Sequence, residues 1–358
     1  MRIAADISGI QDSTEPGLKE LLHQLWKKLI EEHPETAFYF LTRKDQSIPF
    51  AGMANVHILP QSPSPSSLFY RYWRLVKLPS LLKKIKADLF ITGSSNILPD
   101  AKLPQAMLLT DPGLLTFDRR RAIFLKRAGR LFVFSAGWKT ELIRLYGLPP
   151  DRITVLPPAI PAAIGSLTWE EKQKVKDRYS AGKEYFLYTG SFHPGHNLTN
   201  LLKGFSIFKK RQQSGIKLLL AGDLAQHDKG FAGTLQHYKY REDVVVTGTL
   251  SDTEKDRLFA AAYAIADPAI LAGPGILALQ AASAGVPLLA AAGQPFSAEA
   301  YLPADMTDPV DIASRLMQVY KDESLRGELI QQATAGLSAF NLAQTASRFW
   351  NSLIQQIQ

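Results

Sequence analysis

Residues 271–289 read LAGPGILALQAASAGVPLL. Gly273, Pro274 and Gly275 break the backbone, the residues that follow have the small and apolar content of a short buried helix, and Val286–Ala290 reads as a buried strand. A loop that delivers a helix amino terminus holds phosphates in many α/β proteins, because its N–H groups and the helix dipole both favour an anion. Yet this stretch carries no charged residue. Any grip on an anion here rests on backbone donors, offered at Gly273, Gly275 and Ile276.

Upstream, apolar runs at Tyr185–Thr189, Ile216–Ala221, Val244–Thr247 and Ala264–Asp267 read as further strands, each followed by a helix or by a loop leading to one. Three of the junctions end in small residues. In FLYTGSFHPGHNLTNLLKGF (186–205) a strand gives way to Gly190 and Ser191, a turn at Pro194-Gly195, and a helix opening near His196 and Asn197, with Asn197 placed as its N-cap. IKLLLAGDLAQ (216–226) ends its strand at Gly222-Asp223. In VVVTGTLSDTEKDRLFAAAYAIADPAI (244–270) Gly248 follows the strand and Ser251 opens a capping box with Glu254.

The first half repeats the alternation, with strands expected at Ile3–Ile7, Ala37–Leu41, Val56–Leu59, Leu89–Thr92, Ala106–Leu109, Leu131–Ser135 and Ile153–Leu156, and amphipathic helices at Leu18–Glu32 and Gly137–Tyr146. Such alternation implies mostly parallel sheets covered on both faces. The segment Pro157–Lys183, proline-rich and then charged, reads as the passage between two doubly wound domains. The expected division is 1–160, completed by a closing helix in 340–358, and 161–339. Two such sheets in tandem are expected to place a ligand in the cleft between them, at the carboxyl ends of the strands.

Composition bounds the function. The 358 residues are 46% hydrophobic and 21% charged, as in a folded soluble protein, and contain no cysteine, so disulfides, thiolate nucleophiles and cysteine-bound zinc are excluded. A cytoplasmic location follows as the expectation, since the MRIAADIS start lacks the form of a secretory signal. The apolar region 258–293 is interrupted by Asp267, Gln280, prolines and glycines, which reads as buried core rather than a membrane span. The net charge of +8 is uneven: residues 1–160 hold 22 Lys/Arg against 14 Asp/Glu, while 161–358 are balanced. That field favours an anionic surface or ligand, or serves solubility alone. No nucleic-acid-binding motif accompanies it, and no G-x-G-x-x-G follows a strand, so nucleic acid and a dinucleotide cofactor are not expected partners.

The order and spacing of the motifs from Phe186 to Ala290, together with MRIAADISGI, LLTDPGLLTF (108–117) and FVFSAGWKTELIRLYGLPPDRITVLPPAI (132–160), resemble the family 4 glycosyltransferases, whose GT-B fold pairs two Rossmann-like domains. The resemblance implies transfer of a sugar from a nucleotide-diphosphate sugar to a cell-envelope or polysaccharide acceptor, a glycan or a lipid-linked one, with retention of configuration and without a metal. The absence of any Asp-x-Asp pair agrees with the last point. His193 and His196 have metal-ligand spacing but no third ligand nearby in sequence, so no metal site is expected. On this resemblance the donor is held by Gly190, Ser191, His196, Asn197, Gly222, Gly248, Gly273, Gly275, Ile276 and Gln280, the catalytic positions are Asp111 and Thr110, and the acceptor side includes Gly17, Arg71 and Arg74.

The chain departs from the family pattern where charge is expected. The two glutamates of the family's donor loop fall on Ala272 and Gln280, its basic phosphate-binding pair on Gly195 and His196, and its cleft histidine on Thr110, beside Asp111. Gln280 keeps hydrogen-bonding capacity without charge assistance. Asp111 reads equally as a cap on the turn after it, and Glu299, where the family often has a glutamate, equally as a solvated helix residue. These losses leave two readings open: an active transferase, or a binding or scaffolding homologue with impaired turnover. In SSLFYRYWRLVKLPSLLKKIK (66–86) Arg71, Arg74 and Lys77 recur every three residues opposite Leu68, Phe69, Tyr72, Leu75 and Val76. A helix lying on anionic lipid at the inner membrane face has this pattern, and so does a covering helix of the first sheet. DRRRAIFLKRAGR, from Asp118, adds six basic residues suited to a lipid-diphosphate acceptor.

Overall fold

The computed structural model describes the chain apart from residues 11–16, 44–47, 60–68, 94–97, 99–101, 111–117, 161–162, 191, 193–195, 223–228 and 358, and of residues 120, 121 and 229 it describes the backbone alone. The chain divides into two compact units, Met1–Pro161 with Asn341–Gln358, and Ala162–Phe340. Among the described residues no helix is long and apolar enough to cross a membrane.

The first unit holds strands β1 (Arg2–Asp6), β2 (Ala37–Leu41), β3 (Val56–Ile58), β4 (Leu89–Thr92), β5 (Gln105–Leu108), β6 (Arg130–Val133) and β7 (Ile153–Val155). They form one sheet in the order β3-β2-β1-β4-β5-β6-β7, every pair parallel. A parallel sheet is covered on both faces, which is why strands such as Leu89-Phe90-Ile91-Thr92 are buried along their whole length. Helix α1 (Leu18–Glu32) buries Leu18, Leu21, Leu22, Leu25, Trp26 and Leu29, the three-and-four spacing of one helical face. Its Trp26 meets Phe40 edge-on at 5.2 Å and Phe349 of the closing helix at 5.9 Å, and Phe349 in turn meets Phe132 of β6 at 4.7 Å. These aromatic contacts seat the carboxyl-terminal helix (Leu342–Ile354) in the first unit.

After β3 comes a helix in three parts: α2 (Tyr70–Tyr72), a π-helical turn Trp73–Lys77, and α3 (Leu78–Ile85). Leu78 N–H donates to Trp73 O, a five-residue step. Trp73 packs against the cluster that holds Leu78 and Leu82, and Phe69, Tyr72, Leu75 and Val76 are exposed. The apolar side chains of this helix therefore do not form one buried stripe: its second half covers the sheet and its first half does not. Helices α4 (Arg119–Arg127) and α5 (Ala136–Tyr146) complete the unit, α5 being capped by Ser135, whose hydroxyl accepts from the N–H groups of Gly137 and Trp138.

The second unit holds β8 (Tyr185–Thr189), β9 (Lys217–Ala221), β10 (Val244–Val246), β11 (Ala264–Ala266), β12 (Leu288–Ala290) and β13 (Leu302–Pro303), in the order β10-β9-β8-β11-β12-β13, again all parallel. The helices are α6 (Trp169–Ser180), α7 (Leu198–Gln212), α8 (Lys229–Gln236), α9 (Asp252–Ala260), α10 (Ile276–Ala284), α11 (Pro309–Lys321) and α12 (Glu323–Gly336); the closing helix is α13. The Ser251–Glu254 capping box is present, and Thr168 and Glu171 form a second one at the start of α6. Apolar clusters lie on both faces of the sheet, one around Phe186, Phe205, Phe208 and Leu316, the other around Tyr185, Leu219, Leu258 and Ala281. The region 258–293 is therefore core, supplying Ala264, Ile265, Leu279 and Leu289.

Candidate functional site

In the second unit the strand order reverses between β8 and β11. Chains leaving the carboxyl ends of neighbouring strands at such a reversal diverge to opposite faces and leave a crevice, where open α/β sheets bind ligands. Of the residues singled out in the second half, Gly190, Gly222 and Gly248 follow strand ends, and Asn197, Gly275 and Ile276 stand at helix starts.

Three glycines shape one side. Gly190 follows β8, and a Cβ there would lie 2.6 Å from Tyr188 Oη. Gly222 follows β9, and its Cβ would fall 2.8 Å from the Phe192 ring and 3.3 Å from Gly190 O. The two strand ends thus approach more closely than any side chain permits. Gly222 also forms an isolated antiparallel bridge with Gly248, and its N–H donates to Thr247 Oγ1 at 3.4 Å. Phe192 is buried against Tyr188 and Phe231, which pins the start of the loop after β8.

Asn197 stands at the N-cap position of α7 in the left-handed conformation (φ 58°), and the expected side-chain cap is absent. Its Nδ2 donates instead to Pro268 O at 2.9 Å and Met306 O at 2.7 Å. Asn200 adds bonds to Met306 O and Thr307 O. The amino terminus of α7 is thereby fastened to the loops after β11 and β13. His196, part-buried, immediately precedes it. Ser191, Gly195 and His193 lie outside the described residues.

The opening stretch forms the other side. Gly275, at φ 81°, sits at the N-cap of α10, as the glycine-broken loop requires. Gly273 is part-buried, and Gly275 and Ile276 are buried. Ala272 is only 2% exposed, with Gly293 lying against it. Gln280 shares the part-buried face of α10 with Leu277 and Ser283, and its side-chain amide has no hydrogen-bond partner among the described residues.

One site residue was missed in the sequence. Asp267, directly after β11, lies at the strand reversal, with its N–H bonded to Leu289 O and its carboxylate accepting from Ala269 N–H at 3.1 Å. Burial pushes its pKa up to about 6, and the Ala269 bond opposes the shift. The signal was available: an aspartate closing a buried strand just before a proline.

In the first unit the corresponding reversal lies between β1 and β4. Asp6 ends β1, is 4% exposed, and accepts from both N–H and Oγ of Ser8. Thr110 is buried, and its hydroxyl donates to Gly93 O at 3.5 Å, so it straps the β4 and β5 ends together. Gly17 is at the N-cap of α1 with φ 74°. Arg74 packs its guanidinium over the Phe124 ring at 4.7 Å, whereas Arg71 is exposed. Asp111 lies outside the described residues. Glu299 is in a short 3-10 turn after β12, where hydrogen bonds from its own backbone and from Ser297 hold its pKa low. Among the described residues no three His, Asp or Glu side chains gather to hold a metal ion.

Residues 170–335 match the family model for glycosyl transferases group 1. The match falls within the second unit and covers most of it. The chain is 26% identical over 222 residues, 61% of its length, to the O-antigen chain mannosyltransferase B of Escherichia coli. It spans 56% of that relative and less of the other curated relatives that it matches. The Anabaena protein HepE in complex with UDP-glucose has a similar fold, with TM-score 0.75 and 14% identity over 99% of this chain and 100% of that one. So does WaaG, a glycosyltransferase involved in lipopolysaccharide biosynthesis, with TM-score 0.68 and 15% identity over 98% and 99% of the two chains. The chain thus has the GT-B fold, two Rossmann-like parallel-sheet units.

Proposed function

We propose that this protein transfers a sugar from a nucleotide-diphosphate sugar, with retention of anomeric configuration and without a metal, to a glycan or lipid-linked acceptor of cell-envelope polysaccharide synthesis. The observation that carries the reading is the fastening of α7 to the β11–α10 loop through Asn197, which brings two helix amino termini to the strand reversal of the unit that matches the group 1 glycosyltransferase model. Both helix starts present backbone N–H groups and the positive end of a dipole. That set suits a diphosphate, the group on which negative charge grows as the sugar departs. Strand-end glycines let a ligand approach the backbone at Gly190 and Gly222. HepE, of like fold, binds UDP-glucose, and the Escherichia coli relative is named for transfer of mannose to O-antigen, which supports the donor and acceptor classes.

A second reading has its own observation. Ala272 is buried and carries no polar group at the position where the family's donor loop has a glutamate, and no lysine or arginine stands at 195 or 196. Charged contacts contribute about 1.5–3 kcal/mol each, so losing several slows transfer by orders of magnitude unless others replace them. A homologue that binds a sugar nucleotide and turns it over poorly fits this pattern.

Calorimetric titration with UDP-, GDP- and ADP-sugars tests both. Saturable binding of one donor, unchanged by EDTA, supports the site; consumption of that donor when acceptor glycans are added supports the transferase over the binding protein. A full panel with no heat of binding refutes the assignment of the crevice to a sugar nucleotide.

A further inference from the structure

We infer that the first unit binds a small organic anion, an aromatic or short aliphatic body bearing one carboxylate, sulfonate or phosphate group, in a cavity at the amino ends of β4 and β5. Parallel neighbours are ordinarily joined by a crossover that includes a helix packed on the sheet. Residues 93–104 join β4 to β5, and their described members include no helix. Between this connection and α3 lies a cavity of about 580 Å³, within the range of small-molecule sites. Its wall is apolar: Pro79 and Leu82 come from α3, Ala87 from the approach to β4, and Leu98, Leu103 and Pro104 from the connection. Leu82 and Leu98 belong to the core cluster around Phe90, and Ala87 and Leu103 pack against it, so the wall is continuous with the core. Both sides are fixed without a ligand. Leu98 N–H donates to Gln105 Oε1 at 2.7 Å and Gln105 Nε2 donates to Leu98 O at 3.1 Å, a buried clamp. Opposite it, α3 ends with Lys86 in the left-handed conformation (φ 53°), and Ala87 N–H returns to Leu82 O at 3.0 Å.

Charge selects the occupant. Lys83 and Lys86 from the end of α3 and Lys102 from the connection line the same cavity. All three are exposed, and their ammonium groups have no ion pair or hydrogen bond among the described residues. The acid in the lining, Asp88, is held elsewhere: its Oδ2 accepts from Arg2 N–H at 2.7 Å. A helix dipole alone accounts for a lysine in the last turn of α3, but Lys102 belongs to a different segment. Cations converging from two segments on an apolar wall suit an amphiphilic anion, whose body leaves water while its head meets the ammonium groups. Inorganic phosphate gains nothing from the wall, and a neutral apolar molecule gains nothing from the lysines. The cavity lies at the end of the sheet opposite Asp6 and Thr110, so it does not rest on the sugar-nucleotide reading.

The probe is 1-anilinonaphthalene-8-sulfonate, an aromatic body with one sulfonate, added to full-length protein without donor. Its fluorescence should rise, shift to the blue and saturate at one dye per chain, and octanoate should displace it. Lys83→Gln with Lys102→Gln should raise the Kd of the dye about tenfold. The thermal midpoint should not change, and neither should binding of N-phenyl-1-naphthylamine, which has the same kind of body and no sulfonate. Leu103→Trp should fill the cavity and weaken both dyes. Tyr72→Ser with Val76→Ser, which alters exposed apolar side chains elsewhere on the helix, should weaken neither. The inference is overturned if the dye does not saturate, if the lysine variant binds it as the parent does or loses both dyes equally, if the Tyr72 and Val76 variant abolishes binding, or if phosphatidylglycerol vesicles displace the dye and octanoate does not.

Discussion

Asn197 Nδ2 donates to Pro268 O at 2.9 Å, across seventy-one residues of chain. With its second bond, to Met306 O, the amide joins the ends of three strands, β8, β11 and β13, while the backbone at Asn197 turns through the left-handed region to start α7. Asparagine satisfies both demands, since it tolerates positive φ and supplies two donors. Asn197→Asp sets a carboxylate against two carbonyl oxygens and is expected to destabilise the second unit by about 2–4 kcal/mol at pH 7. Asn197→Gly keeps the backbone and loses the bonds, with a smaller loss of about 1–2 kcal/mol. Both should weaken any donor binding that needs α7 and the β11–α10 loop in register. Chemical denaturation alongside calorimetry checks the pair; an Asp variant as stable as the parent contradicts the arrangement.

The glycine contact between β8 and β9 predicts a similarly graded response. Gly222→Ala drives a methyl into the Phe192 ring and is expected to lose about 1–3 kcal/mol. Gly190→Ala meets Tyr188 Oη first, so adding Tyr188→Phe should restore part of the loss. Gly233, in α8, has nothing within 4 Å of its Cβ position, and Gly233→Ala should be neutral or stabilising by about 0.5–1 kcal/mol. The spread among the three melting curves is the measurement; equal effects at all three positions would remove the steric explanation.

Asp267 predicts a pH dependence. Its pKa in the folded protein is about 6, above the ordinary aspartate value, so between the two the folded state holds the proton more tightly than the unfolded chain. The stabilisation from the protonated carboxyl is complete below pH about 4 and is lost as pH rises through 6. An asparagine side chain at this position would have no charge to bury and would still accept from Ala269 N–H. Asp267→Asn should therefore be more stable than the parent by about 2 kcal/mol at pH 8, with the difference vanishing near pH 4. Unfolding of both proteins at the two pH values decides it, because all other carboxylates cancel in the comparison.

Local signals carried most of the architecture. Tyr185–Thr189 and Leu89–Thr92 occur as strands with the bounds their apolar runs imply, and Leu18–Glu32 as a helix with the bounds of its periodicity. What escaped depends on contacts distant in sequence. Leu302–Pro303 is a two-residue edge strand containing a proline, recognisable only by its pairing with Leu289 and Ala290. At the π-turn, Trp73 packs against the first unit's core while Phe69, Tyr72, Leu75 and Val76 are exposed, an arrangement that the amphipathic pattern alone does not show. At the candidate site, glycine positions were readable because close backbone approach needs glycine, whereas Asn197 was read as a local cap although its partners are Pro268 and Met306. Thr110, read as catalytic by its place in a motif, spends its hydroxyl on Gly93 O.

The Gln280 amide, without a hydrogen-bond partner among the described residues, and the buried methyl of Ala272 predict opposite outcomes for carboxylates placed at these two positions. Gln280 lies on the part-buried face of α10, so Gln280→Glu meets no steric obstacle there and should leave the thermal midpoint within a degree or two. If that face meets a ribose, the ionised acceptor strengthens its hydrogen bonds, and about 1.4 kcal/mol of gain is a tenfold lower Kd for the donor. Ala272 is 2% exposed, so Ala272→Glu must bury an unpaired charge or open the loop, and should cost about 2–4 kcal/mol of stability. Calorimetry on the first variant and denaturation on the second separate a loop that has merely lost its charges from one whose packing has closed over one of the positions. Tighter donor binding by the Gln280→Glu variant together with a stable Ala272→Glu variant would show that the loop retains room for both carboxylates, and would count against impaired turnover as a property fixed by packing.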